Sequence, residues 1–418
     1  MRLVDRSLAM YVHREIEPLL ESCIGQYEVL LLVGPRGSGK TSLLRHCLGE
    51  ACQFLSDEDV SAMDVTLADP DDLLAGGDRT LVLEDTERQP RLVRRLVAAA
   101  VADGRPGGLV LEAQLVTERL SAALQPFAAH VRTLQLGTLS LRELLGQTGR
   151  GPHVPAPPRN MGGAPAMDEG ALWEHIWRGG QPTLLDATAN WDDYYSAWER
   201  ELLEHKLEGL LGRRDAFRFL GLMTACAKRT AQPLDLDGLC NEAELDPQTA
   251  EEWINLLEDL GIVCLVPPLV SALGRRASSH AGRTPLLHFM DTGLACHLAS
   301  LDSPDGLRFG PLYRPMLRSF VTSEVMKTWL AAGRELARFS YPFDGEGREL
   351  DLVLREGNVL HPIKVDAGRA ARADEAQREF ASLQGVDGCE LGWGEVVCLA
   401  RDDGVAGRGV VVTPAWQV

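Results

Sequence analysis

Apolar positions repeat along this chain with two periods, and the switches between them mark its parts. From Arg14 to about Leu145, short apolar runs at Val29–Val33, Thr80–Leu83, Leu109–Leu111 and Val131–Leu136 alternate with helical patterns such as Pro90–Val101 and Thr117–Ala129. That alternation predicts an α/β unit built on a parallel sheet. The interval Arg150 to Met167, "RGPHVPAPPRNMGGAPAM", is rich in Pro and Gly and predicts a mobile loop or linker. A helical stretch with Trp173, Trp177, Trp191 and Trp198 follows, spaced as packing anchors more than as a ligand cage. From about Leu207 to Pro268 the order is a long helix (Asp215–Lys228), a short one (Leu236–Glu244), a third (Pro247–Leu260) and the β-like "GIVCLVPPL", the outline of a winged helix. After about Thr284 come an amphipathic helix at Phe320–Ala331 and strand-like Leu336–Pro342 and Glu349–Arg355. Val359–Val365 pairs back across the turn Glu356-Gly357-Asn358. This is an α+β order: helix, three strands, helix, strands.

Composition narrows the class. At 418 residues the chain is too long for one ordinary core. Hydrophobic residues at 45% and charged residues at 24% predict a globular protein. The nine cysteines show no CxxC or paired Cys/His spacing, which predicts reduced thiols in a cytoplasm and argues against a zinc site. No apolar run reaches membrane-spanning length, and the first twenty residues read as an amphipathic helix. A net charge of -18 repels polyanions, so any DNA contact needs a local basic patch.

The chemistry is most legible at "LLLVGPRGSGKTSLLRHC". An aliphatic run ends at Gly34, and the spacing Gly34-x-x-x-x-Gly39-Lys40-Thr41 opens a segment with Leu43, Leu44 and Leu48 at helical intervals. Strand, glycine loop and helix in that order form a phosphate cradle, since backbone N–H groups can converge at the helix N-terminus. Gly34, Pro35, Arg36, Gly37, Ser38, Gly39, Lys40, Thr41 and Ser42 are therefore the expected nucleotide-binding residues. Lys40 is expected on the β- and γ-phosphates and Thr41 on Mg²⁺. In "TLVLEDTERQP", Glu84 and Asp85 close an apolar run, where a hydrolytic site needs carboxylates for the metal and the attacking water. Glu84 is the expected second metal ligand, and Asp85 the candidate for activating water. No N-K-x-D stretch for reading guanine is present, so ATP is the expected nucleotide.

The chain resembles prokaryotic ATPases of the AAA+ superfamily that carry an uncharacterised C-terminal region with a restriction-endonuclease-like fold. The likeness runs through "YVHREIEPLL", "GPRGSGKTSLL", "LQLGTLSLREL", "WRGGQPTLL", "FMDTGLACHL", "FVTSEVMKTWL" and "ELDLVLREGNVLHPIKV". It implies a P-loop domain over residues 1–149, a loop or linker at 150–168, a helical lid and winged-helix region at 169–283 and a nuclease-like domain at 284–418. Several positions depart from the family pattern. Glu84-Asp85 stands where members have Asp-Glu, and Glu112-Ala113-Gln114 where they have Thr-Gly-Ser, leaving Gln114 as the substitute sensor. Ala129-His130 stands where they have Gly-Arg, leaving Arg132 or Arg142 as replacement arginines.

In the third helix of the winged-helix outline and the residue before it, Asp246, Glu251, Glu252, Glu258 and Asp259 stand with no Lys or Arg before Gly261, which favours packing or protein contact over base reading. Arg275, Arg276 and Arg283 form the compact basic stretch nearby. In the C-terminal region Asp351 stands where the resemblance puts the first nuclease acid. Lys364 and Asp366 exchange the expected carboxylate and lysine, and Arg318 replaces a common Glu. A divalent-metal nuclease centre is therefore not expected, and Glu324 is read as a surface residue or a structural partner. Three functions compete: a slow ATPase switch on a protein or DNA partner, a non-hydrolysing nucleotide sensor or scaffold that binds protein or itself, and an ATP-coupled nuclease.

Overall fold

The computed structural model describes residues 11–56, 73–74, 79–157, 167–207, 211–269, 284–342, 350–368, 373–400, 404–407 and 409–418. Its first unit is a five-stranded sheet. The elements are α1 (Glu17–Ile24), β1 (Val29–Val33), α2 (Lys40–Leu48), β2 (Cys52–Leu55), β3 (Thr80–Leu83), α3 (Pro90–Asp103), β4 (Leu109–Ala113), α4 (Glu118–Leu124), β5 (Val131–Gln135) and α5 (Leu141–Leu144). The strands lie parallel in the order β2-β3-β4-β1-β5, with Val33 opposite Ala113 on one side and Gln135 on the other. Every residue of β1 is buried, and its side chains alternate between two cores. Val29, Leu31 and Val33 pack with the α3 stripe Leu92, Val93, Leu96 and Val97, whereas Leu30 and Leu32 pack with Leu20, Leu43 and Leu44 of α1 and α2. Two apolar faces make β1 a central strand, and its C-terminal end faces the loop that follows.

The middle unit is helical. It contains α6 (Glu169–Arg178), α7 (Trp191–Glu201) running into a π-helical segment (Leu202–Leu207), α8 (Arg213–Ala227), β6 (Gln232–Pro233), α9 (Leu236–Ala243), α10 (Pro247–Asp259), β7 (Val263–Val266), β8 (Pro268–Leu269), β9 (Leu286–Phe289), α11 (Thr292–Leu298) and α12 (Pro304–Arg308). The long helix, short helix, third helix and strand fall within a few residues of the expected positions. Asp246 caps α10 through Thr249 N, and the buried face of α10 is Ala250, Trp253, Ile254 and Leu257. Trp173, Trp191 and Trp198 are buried, and Trp177 stacks on Trp191. β9 pairs antiparallel with both β6 and β7, so residues 286–289 sit with the strands before them rather than with the C-terminal region assigned to them from sequence.

The third unit begins with α13 (Tyr313–Ala331). After it come β10 (Phe339–Pro342), β11 (Leu352–Glu356), β12 (Val359–Asp366), α14 (Ala373–Ala381), β13 (Glu390–Leu391), β14 (Gly394–Cys398), β15 (Gly404–Gly407) and β16 (Val410–Pro414). β10, β11 and β12 form an antiparallel meander, and β14 and β16 extend it in parallel. The order helix, three strands, helix, strands is the one expected. α13 also docks on the first unit, since Glu324 accepts from Leu141 N at 2.6 Å and from Lys327 Nζ at 2.8 Å. Glu324 is buried and joins two units, which settles it as a structural partner.

Residues 151–157, expected to be mobile, are anchored. His153 is buried, with Arg142 Nη2 on its Nδ1 at 2.8 Å and Glu395 on its Nε2 at 2.6 Å, while its N–H donates to Thr328 and its carbonyl accepts from Trp329. Composition predicted flexibility here, but partners far along the chain fix the backbone. The basic stretch at 275, 276 and 283 and the first ten residues lie outside the described residues. Among the described residues no helix is long and apolar enough to cross a membrane, and the segment 11–16 enters α1 as a non-helical turn.

Candidate functional site

The loop between β1 and α2 has the geometry that its spacing requires. Gly37 and Gly39 adopt φ of +78° and +91°, and Gly39 is the residue on which α2 starts. An L-residue is strained in that region, which is why glycine stands there. Lys40 opens α2, and its Nζ donates to the carbonyls of Gly34 (2.9 Å) and Pro35 (3.4 Å), which hold the ammonium across the loop. Ser38 Oγ is buried inside the loop with no hydrogen-bond partner among the described residues.

Thr41, the second residue of α2, meets Glu112, whose place in the sequence marks only a departure from the family's sensor. Its hydroxyl lies 3.0 and 3.1 Å from the two carboxylate oxygens of Glu112, at the end of β4, and Lys40 Nζ lies 3.9 Å from Glu112. Burial pushes the Glu112 carboxyl up to about 7; Lys40 and Thr41 oppose this, and Glu84 and Asp85 add to it by like-charge repulsion. The electrostatic reach of Glu84 and Asp85 places the expected acidic pair in the same neighbourhood. Their position is fixed by the exit of β3: Glu84 N donates to Leu55 O, Asp85 turns the chain at φ +47°, and Thr86 Oγ1 donates to Glu112 O at 3.1 Å. The donor set of one hydroxyl and several carboxylate oxygens is the hard-oxygen chemistry that Mg²⁺ takes.

The loop is also gripped from outside. Arg14, buried, donates to Ser38 O (2.8 Å), Gly137 O (2.8 Å) and Glu143 Oε1 (3.0 Å). Trp198 Nε1 donates to Arg36 O, and the Arg36 side chain pairs with Glu201. A Cβ on Gly37 would lie 2.6 Å from Tyr194 Oη and 2.7 Å from Gln181 Oε1, so these two side chains stand directly over the loop. Tyr194 Oη donates to Gln181 Oε1 at 3.1 Å, and Asp291 of the "FMDTG" stretch anchors the residues beside them, accepting from Gly180 N, Tyr195 Oη and Leu294 N at 2.9–3.0 Å. Two motifs distant in sequence, "WRGGQP" and "FMDTG", thus form one clasp over the phosphate loop.

The replacement arginines separate. Arg142 is committed to Gly151 and His153, and His130 pairs with Glu28 at 3.2 Å beside the start of β5, at the sheet end opposite the loop. Arg132 and Gln114 line a cavity of about 670 Å³ together with Gly34, Pro35, Gly261 and Arg334. This cavity lies where the loop, α10 and the end of α13 meet.

In the C-terminal unit Asp351 is occupied. Arg318 Nε lies 2.8 Å from its Oδ1, and Val365 N donates to its Oδ2 at 2.6 Å. Lys364 Nζ sits 2.8 Å from both oxygens of Glu379, and Asp366 accepts from Gly368 N. The substitutions at Arg318 and Lys364 have become ion pairs, whereas Asp366 accepts from a backbone N–H of the turn that follows β12.

A family model for a domain of unknown function (DUF8612) matches residues 169–305, the helical unit. The uncharacterized proteins Rv2008c of Mycobacterium tuberculosis and Mb2031c of Mycobacterium bovis are each 24% identical over 326 residues, covering 76% of this chain and 67% of theirs. Among solved structures, the Walker-type ATPase Paby2304 of Pyrococcus abyssi is similar over 71% of this chain and 99% of its own, at 13% identity and a TM-score of 0.47. The Thermotoga maritima RuvB Holliday junction branch migration motor is similar over 68% and 95%, at 16% identity and a TM-score of 0.28.

Proposed function

We propose that this chain binds ATP with Mg²⁺ on the loop Gly34–Ser42 and acts as a slow ATPase switch of the AAA+ type. The observation that carries the reading is the cluster at the end of β1, where Lys40 is held across the loop by its carbonyls and Thr41 Oγ1 sits against Glu112. In this reading Lys40 neutralises phosphate charge, and Thr41 and Glu84 hold the metal, with Glu112 as a third oxygen source. Asp85 orients the attacking water. Bound Mg²⁺ supplies charge neutralisation to the transferring phosphoryl group.

The switch follows from the clasp. Gln181, Tyr194, Trp198 and Glu201 contact the loop, so a nucleotide that reshapes the loop has different contacts with the two states of the helical unit. Its partner in this reading is a protein or a second copy of the chain. A base-reading role for α10 is disfavoured by its exposed Glu251 and Glu252. The C-terminal unit is read as a nuclease-like fold without a metal centre, supported by its strand order and by Arg318 on Asp351. A second reading, a sensor that binds without hydrolysing, is favoured by the commitment of Arg142 and His130 to other partners.

The test is ATP binding and single-turnover hydrolysis by wild type beside Lys40→Ala and Asp85→Asn. Binding lost in Lys40→Ala, with hydrolysis present in wild type and absent in Asp85→Asn, supports the switch. Binding without turnover in wild type selects the sensor, and wild type that binds no ATP overturns both.

A further inference from the structure

A second cluster stands on the outer side of the first unit, away from the phosphate loop. His13, Glu17 and His46 each present one ligand atom, and the three atoms lie within 4.8 Å of one another. His46 is six residues beyond Lys40 on α2, about 9 Å along the helix axis, so the cluster is separate from the Thr41 site.

The three side chains are oriented by their surroundings. Glu17 Oε1 accepts from Tyr11 Oη at 2.9 Å and from Arg14 N at 2.6 Å, which leaves Oε2 turned to His13 Nδ1 at 3.1 Å. The His46 ring stacks on Tyr11 with centroids 3.9 Å apart, and the His13 ring stands edge-on to it at 5.2 Å. Hydrogen-bonded and stacked neighbours that fix ligand orientation are the supporting shell a metal site requires. A four-coordinate ion with bonds near 2.0–2.1 Å needs ligand atoms about 3.3 Å apart. The His13–Glu17 spacing already meets this, and small side-chain rotations bring His46 in.

We propose that His13, Glu17 and His46 bind a divalent transition-metal ion of the zinc class, through two imidazoles and one carboxylate, with the fourth position open to water. Two nitrogen ligands and one oxygen select such an ion over Mg²⁺ or Ca²⁺, which take oxygen. The ion staples the segment that carries Arg14 to the far end of α2. Arg14 donates to Ser38 O, so the metal braces the phosphate loop from behind.

The test uses full-length protein without a histidine tag, stripped with chelator and titrated with Co²⁺. The expected result is one equivalent bound with the strong visible absorption of four-coordinate cobalt, displaced by Zn²⁺. In His13→Ala/His46→Ala the band is lost and affinity falls at least tenfold; both positions are exposed, so this variant keeps its fold, checked by circular dichroism. Wild type without the band overturns the proposal. A band that survives in the double variant also overturns it, by placing the ion on other ligands such as the thiols. Neither readout depends on nucleotide binding, so the outcome stands apart from the ATPase reading.

Discussion

Two acidic centres in this molecule have opposite charge designs. At the phosphate loop, Glu112 is buried beside Glu84 and Asp85, and its carboxyl holds its proton up to about 7. In the C-terminal unit Asp351 has a guanidinium at 2.8 Å, and Lys364 has both oxygens of Glu379. A carboxylate cluster with raised proton affinity is stabilised by an incoming cation, whether a proton or a metal. A carboxylate with an arginine in place has that demand met from within the chain. The first design suits a site that is loaded and emptied, and the second a unit whose charges are already neutralised by one another.

The largest effect expected is at the loop. Lys40→Ala removes a charged donor from the phosphate position and is expected to weaken ATP binding by roughly a hundredfold. Isothermal titration with a non-hydrolysable analogue measures it. Unchanged affinity would break the contrast by showing that the loop binds no phosphate.

Next comes the C-terminal pair. Arg318 is partly exposed, so Arg318→Ala leaves Asp351 buried but incompletely desolvated, and a loss of about 2–3 kcal/mol is expected from the denaturation midpoint. The exchange Arg318→Met with Asp351→Asn removes both charges and is expected to lose less. The sharper readout is plasmid cleavage with Mg²⁺. Arg318→Glu is expected to stay inactive, because Lys364 and Asp366 still stand exchanged. Cutting by that variant would show that the two centres differ by a single residue.

The third effect is a pH dependence. Because the Glu112 carboxyl is raised from 4.5 to about 7, the folded chain keeps a proton between those limits that the unfolded chain has released. Stability from this group is fully present below about pH 4.5 and is lost as pH rises through 7, a change of about 3 kcal/mol. Comparing wild type with Glu112→Gln by urea denaturation at pH 5 and pH 8, without nucleotide, isolates it. The variant is expected to gain relative stability at pH 8. An identical pH profile in both proteins would mean that Glu112 is not the strained member of the cluster.

The two centres were not equally legible in the sequence. The loop was readable because its constraints are local: positive φ at Gly37 and Gly39, and a lysine and hydroxyl next to them. The C-terminal pairing was readable as charge reversal at Arg318, Lys364 and Asp366, since each position could be compared with a pattern. Glu112 was not readable as a neighbour of Thr41. The contact spans 71 residues and exists because β4, not β3, lies beside β1. Arg14 was hidden in the same way: "YVHREIEPLL" shows helical period, yet residues 11–16 form the turn that delivers a guanidinium to Ser38 O, and its partner Glu143 is 129 residues away. His153 lay in a stretch whose Pro and Gly content predicted mobility, because composition carries no information about Arg142, Thr328 and Glu395. Local backbone demands are written in the sequence, whereas pairings between units depend on strand order and helix docking.

The smallest effect tests whether the loop's design extends into the helical unit. Arg36 and Glu201 join the two, with side chains 36% and 38% exposed, so removing the pair is expected to change stability by less than about 1 kcal/mol. Nucleotide affinity should respond in the opposite sense to Lys40→Ala. Glu201→Ala frees Arg36 from its carboxylate, and a phosphate then competes for it without an intramolecular rival. A gain of about two- to fivefold is expected at low salt, shrinking at 0.5 M salt as exposed charges are screened. A fall in affinity instead would mean that the pair holds the loop in its binding shape. The clasp of Gln181, Tyr194 and Trp198 would then be part of the nucleotide site rather than a sensor of its occupancy.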